Sequence, residues 1–167
     1  MHAEKVLETF KIPAHSLDPM EILASELKKR NISDPVVICP DKGAYERSRA
    51  FAAYLGKDTP VVQFNKKRDV KTGEITMDGE LDVGNKTVII ADDIIATGGT
   101  MALAISIAKK AGAKAIYAVG THPLLIKNAM HTLMTAGTNE IIGTDTLDSP
   151  CMQASMAEII ASAITEK

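Results

Sequence analysis

Two adjacent carboxylates, Asp92 and Asp93, stand just before a glycine turn in the stretch VIIADDIIATGGTMALA, residues 88–104. The two halves of this stretch suit different parts of one ligand. Gly98 and Gly99 allow the backbone to approach closely. The amides from Thr97 to Met101 and the hydroxyls of Thr97 and Thr100 surround a helix N-terminus, a natural seat for a phosphate. Asp92 and Asp93 would repel a phosphate beside them, so they address another group: vicinal hydroxyls as acceptors, or a divalent cation. A sugar phosphate satisfies both halves. The stretch is not a Walker A loop, since no GK[ST] follows, and it lacks the GxGxxG spacing of a dinucleotide site. The bland alternative, a helix-capping turn, is weakened by the four apolar strand residues that precede the acids.

The surrounding elements must bring these residues to an edge. TVIIA (87–91) delivers the chain to the carboxyl end of a strand, where open parallel sheets form ligand crevices. Further continuous apolar runs, PVVIC (35–39), PVVQF (60–64), AIYAVG (115–120) and EIIGT (140–144), read as strands. Helical patterns alternate with them. Asp18 is placed to N-cap a helix with Pro19 at its first position, AYERSRAFAAYL ends at Gly56, and a helix from about 100 to 111 stops at Gly112. HPLLIKNAMHTLMTAG and CMQASMAEIIASAI also read as helical. Strands without polar alternation, each followed by a helix, predict an α/β fold: three layers, αβα, around a mostly parallel five-stranded sheet.

One segment breaks the rhythm. Residues 65–86, NKKRDVKTGEITMDGELDVGNK, are polar and rich in turn residues, longer than an ordinary connection. Either a flexible functional flap or a solvated hairpin fits, with the basic cluster Lys66, Lys67 and Arg68 at its start.

Composition narrows the classes. A chain of 167 residues, 46% hydrophobic and 24% charged, predicts one domain over residues 1–167 with a sizeable core. Its formal charge of −2 argues against a general nucleic-acid binder. Cys39 and Cys151 form no CxxC pair and read as reduced thiols of a cytoplasmic protein. The start, MHAEKVLETF, has no targeting pattern, and no apolar run is long enough to span a bilayer, so no membrane partner is expected.

VIIADDIIATGGT resembles the phosphoribosyl-pyrophosphate (PRPP) motif that type I phosphoribosyltransferases share with ribose-phosphate pyrophosphokinases, the PRPP synthetases. Three more blocks separate the two groups. CPDKGAYERSRAFAAYLG, FNKKRD and THPLLIKNAMHTLMTAGTNEIIGTDT resemble consecutive parts of the carboxyl-terminal half of a PRPP synthetase in its archaeal style. The resemblance covers nearly the whole chain. It implies the type I phosphoribosyltransferase fold and transfer of the β,γ-diphosphoryl group of ATP to the anomeric hydroxyl of ribose 5-phosphate, giving PRPP and AMP with Mg2+.

Residue by residue, it implies that Asp92 and Asp93 take the ribose hydroxyls, directly or through a metal, and that Ala96, Thr97, Gly98, Gly99 and Thr100 form the PRPP loop around the 5-phosphate. Lys66 and Arg68 match two basic catalytic positions of a flexible loop that embraces the diphosphoryl group. His2 and Asp41 match magnesium-associated positions. His122 follows a strand and is placed either to approach the ribose phosphate or to cap before Pro123. Two departures stand out. The family's first half, which contributes most ATP contacts, is absent from this sequence, and Ala96 replaces an acid that many members carry. A homo-oligomer or a separate amino-terminal half is therefore expected. Two other functions remain open: a stand-alone purine-type phosphoribosyltransferase, for which no Trp and only three Phe and three Tyr offer no obvious base platform, and a non-catalytic ribose-phosphate-binding module.

Overall fold

The computed structural model describes residues 4–40, 42–63, 65–68, 75–78 and 82–165. Its centre is a sheet of six parallel strands: β1 (Pro35–Cys39), β2 (Val61–Gln63), β5 (Thr87–Ile94), β6 (Ala115–His122), β7 (Glu140–Thr144) and β8 (Met152–Ala154), in the order β2-β1-β5-β6-β7-β8. A separate antiparallel hairpin pairs β3 (Asn65–Arg68) with β4 (Ile75–Asp78).

The strand chemistry explains the layering. In β5, Val88 and Ile90 alternate with Ile89 and Ala91, all four buried, because both sheet faces are covered. Val88 and Ile90 join Val36 and Ile38 against Met101, Ala104, Ile105 and Ala108 of α3 (Gly99–Lys110) and Leu133 of α4 (Ala129–Ala136). Ile89 and Ala91 join Val37 and Val119 against Leu23 and Leu27 of α1 (Met20–Lys28) and Phe51 of α2 (Tyr45–Leu55). These are the three expected layers.

Four expectations shift. The sheet has six strands rather than five, because the run read as a closing helix begins with β8, and only 157–165 form helix α5 (Ala157–Thr165). The pairing of Gly143 with Met152 captures that short segment at the sheet edge. The α1 helix starts one residue later than expected, although the Asp18 carboxylate does accept a hydrogen bond from the Met20 amide at 3.0 Å. The stretch after Pro123 is not helical until Ala129, with positive φ at Leu125, Lys127 and Asn128. Finally, β6 runs to His122, which ends the strand instead of following it.

An Arg30 fork fastens α1 to the sheet, with Nε and Nη2 donating to the two carboxylate oxygens of Glu140 on β7 at 3.1 and 2.6 Å. Both cysteines are buried. Among the described residues no helix is long and apolar enough to cross a membrane.

Candidate functional site: an acid pair and a glycine loop at the strand-order switch

The strand order reverses between β1 and β5: from β1 the chain moves outward to β2, and from β5 it moves the other way through β6, β7 and β8. Such a switch leaves a crevice at the carboxyl ends of the strands. β5 ends there with Asp92 and Asp93, and the loop 95–98 turns directly into α3.

Gly98 makes the turn. Its φ of 72° is left-handed, a conformation that suits glycine, and a Cβ there would come within 3.2 Å of the Leu133 side chain. Gly99 starts α3 with open space where its Cβ would be. The first-turn amides of the helix therefore border a cleft of about 140 Å³. Asp92, Ala96, Thr97, Gly98, Gly99 and Thr100, all singled out in the sequence, line this cleft together.

The loop is held from behind. Leu125 and Ile126 donate their amides to the carbonyls of Ile95 and Ala96 at 2.9 and 3.1 Å, and Ile95 donates to the His122 carbonyl at 3.1 Å. Pro123 cannot supply a helical amide, and the irregular 124–126 segment bonds to the loop instead. Ile95 itself is buried, and it can lie against the sheet because residue 120 is glycine: a Cβ at Gly120 would stand 2.6 Å from Ile95 Cγ1.

The two acids divide between two cavities. Asp92, on the α3 side, lines the loop cleft, whereas Asp93 lines a second cavity of about 660 Å³ on the α1 and α2 side, with His15, Arg47, His122 and Met156. Period-two alternation along β5 requires this split. Arg47 of α2 spans the switch crevice: its Nη1 donates to Asp93 Oδ2 at 2.9 Å, and its Nη2 lies 3.9 Å from Asp92 Oδ1. Backbone amides also steady the pair, Asp93 N donating to Asp92 Oδ1 at 2.8 Å and Ile94 N to Asp93 Oδ1 at 2.9 Å.

Burial pushes the Asp92 carboxyl up to about 6, the neighbouring Asp93 adds to the rise, and the Arg47 guanidinium opposes it. An acid pair of this kind is an acceptor for hydroxyls or a seat for positive charge. Arg47 is the site residue that sequence reasoning missed. Its one signal was position: it opens the helix that follows β1, on the same sheet edge as the acids.

Lys66 and Arg68 lie in β3, whose partner β4 approaches α3. His2 and Asp41 lie outside the described residues. Among the described residues no three His, Cys, Asp or Glu side chains cluster as a metal site. His122 neither caps nor faces the loop cleft: its Nδ1 lies 2.7 Å from Thr146 Oγ1, and its ring borders the larger cavity.

The fold is shared with known proteins. Residues 8–132 match the phosphoribosyl transferase domain family. Ribose-phosphate pyrophosphokinase of Sulfurisphaera tokodaii is 36% identical over 160 residues, 95% of this chain and 54% of that protein. The crystal structure of phosphoribosylpyrophosphate synthetase from Mycobacterium smegmatis superposes with a TM-score of 0.80 at 29% identity, covering 98% of this chain and 55% of that one. A purine phosphoribosyltransferase from Pyrococcus horikoshii matches less fully, with a TM-score of 0.53 at 25% identity over 61% of this chain and 68% of that one. The chain spans a little over half the length of the pyrophosphokinases it matches.

Proposed function

The chain belongs to the phosphoribosyl transferase domain family, and from that premise we propose that it is the catalytic half of a ribose-phosphate diphosphokinase. It binds ribose 5-phosphate and transfers diphosphate from ATP to give PRPP and AMP, in company with a partner domain or a second copy. The observation that carries this reading is the cleft that joins Asp92 to the Thr97–Thr100 loop at the N-terminus of α3, in a chain of which 95–98% aligns with pyrophosphokinases.

The division of labour follows from charge. The loop amides and threonine hydroxyls hold the 5-phosphate, aided by the helix dipole. Asp92 and Asp93 accept from the ribose hydroxyls on either side of β5, and Arg47 keeps the two negative charges compatible. Phosphoryl transfer is catalysed mainly by positioning and by cations around the transferring group. Lys66 and Arg68 supply such cations from β3; residues 69–74 and 79–81 of the expected loop lie outside the described residues. Mg2+ would neutralise the phosphate oxygens. Of its expected ligands, the Asp41 carboxylate has the hard oxygen donor this ion prefers, and His2 is the less typical donor. Ala96 provides no proton acceptor, so the loop binds and does not act as a base.

The test is AMP formation from ATP and ribose 5-phosphate with Mg2+, using this chain alone and with a separately supplied amino-terminal domain, with ribose 5-phosphate binding measured in parallel. AMP and PRPP from the combination support the reading. Pyrophosphate release from PRPP and a purine, with no AMP from ATP, would make the chain a phosphoribosyltransferase instead. A failure to bind ribose 5-phosphate at all would remove both.

A further inference from the structure

The larger cavity beside Asp93 has no assigned occupant, and one of its two histidines, His122, is held by a specific network. Gly120 pairs with Asp92 and His122 with Ile94 across β5 and β6. His122 therefore stands about 7 Å further along the sheet than Asp92, at the rim of the carboxyl edge.

Hydrogen-bond bookkeeping favours one placement of the imidazole proton. The buried Thr144 hydroxyl donates to the Thr121 carbonyl at 2.6 Å, which uses its only proton. The Thr146 Oγ1 lies 2.8 Å from Thr144 Oγ1 and 3.1 Å from the Thr121 carbonyl, and a proton pointed at these acceptors leaves no facing oxygen lone pairs across either contact. The Thr146 oxygen is then an acceptor toward His122, and the 2.7 Å contact is a hydrogen bond donated by Nδ1–H. In the neutral ring Nε2 carries the lone pair. That nitrogen makes no hydrogen bond within the described residues, and the ring borders the cavity that Asp93 also lines.

We propose that His122, held by Thr146 with its proton on Nδ1, presents Nε2 as an acceptor for a hydroxyl of the sugar phosphate that lies across Asp92 and Asp93. The inference rests on the ribose 5-phosphate reading above and extends it: the larger cavity is the sugar side of the site and the loop cleft its phosphate side. His122 thereby selects for a hydroxylated ligand, because a bare phosphate dianion has no proton to donate to Nε2.

Nitrogen-15 NMR of the whole chain at about pH 8, where imidazoles are neutral, tests this directly. Long-range couplings should report the Nδ1–H tautomer of His122 in the free protein, and Thr146→Val should shift it toward Nε2–H. Ribose 5-phosphate should move both the Gly98 and Gly99 amides and the His122 Nε2 resonance, whereas inorganic phosphate should move the amides alone. Affinity for ribose 5-phosphate should fall roughly tenfold in His122→Leu and recover in part in His122→Gln, which keeps an acceptor. An Nε2–H tautomer in the free protein would overturn the proposal. So would loop amides that respond to ribose 5-phosphate while Nε2 stays still, a result that leaves the ribose 5-phosphate reading intact. If neither responds, the reading itself falls and the proposal with it.

Discussion

Arg47 Nη1 donates to Asp93 Oδ2 across 2.9 Å, joining the helix after β1 to the end of β5. The bond spans the crevice where the strand order reverses between β1 and β5.

Removing that guanidinium takes one cation away from two adjacent carboxylates. Arg47→Met should weaken ribose 5-phosphate binding about tenfold, and Arg47→Lys, which restores charge without the planar fork, should fall between. Calorimetry on both variants checks this, and wild-type affinity in Arg47→Met would take Arg47 out of the site.

Asp92 gives a pH signature. Its folded value of about 6 lies above the ordinary 3.8, so between these values the folded chain keeps a proton that the unfolded chain has released. The stability this contributes is complete below the ordinary value and is lost as pH rises through about 6. Asp92→Asn avoids that loss. It should be more stable than wild type by about 1–2 kcal/mol at pH 7, and the advantage should shrink toward pH 4. Urea unfolding at the two pH values measures it, and an equal advantage at both would contradict the buried environment.

Gly120→Ala tests the support of the loop. The added methyl group must displace Ile95, whose backbone is bonded to His122 and Leu125. A loss of about 1–3 kcal/mol in stability is expected, as for other overpacked cores. Weaker phosphate binding should accompany it, because the displaced residue opens the loop. Unchanged binding in a destabilised variant would separate Ile95 from the loop's geometry.

Binding and transfer should also separate. Asp93→Ala should weaken ribose 5-phosphate binding, whereas Lys66→Ala should leave that binding nearly intact and abolish AMP formation wherever the wild-type assembly supports it. Equal loss of binding in the two would undo the distinction between sugar site and catalytic arm.

The glycine loop and its place at the sheet edge were legible because strand, acids, glycines and helix occupy one contiguous stretch. The α1 and α2 helices were legible for a similar reason, from the Asp18–Pro19 start of one and the Gly56 stop of the other. Arg47 was not legible, since its partner lies 46 positions away and no local pattern encodes a contact made by tertiary packing. The segment after Pro123 misled for a different reason. Its apolar residues suit a helix, but its left-handed positions are Leu125, Lys127 and Asn128, with no glycine to announce them. Edge strand β8 was hidden by its brevity: three residues carry no periodicity, and pairing with β7 alone selects the extended form.

The amides of Leu125 and Ile126 that grip the loop carbonyls have a thermodynamic consequence. Conformational entropy that a glycine-rich turn would otherwise surrender on meeting an anion is already given up when the domain folds. The glycine loop is thus preorganised, and binding of the proposed phosphate there should proceed with little backbone rearrangement. Calorimetrically, binding of a simple phosphate should show a small heat-capacity change, in contrast to the large negative value of a segment that folds around its ligand.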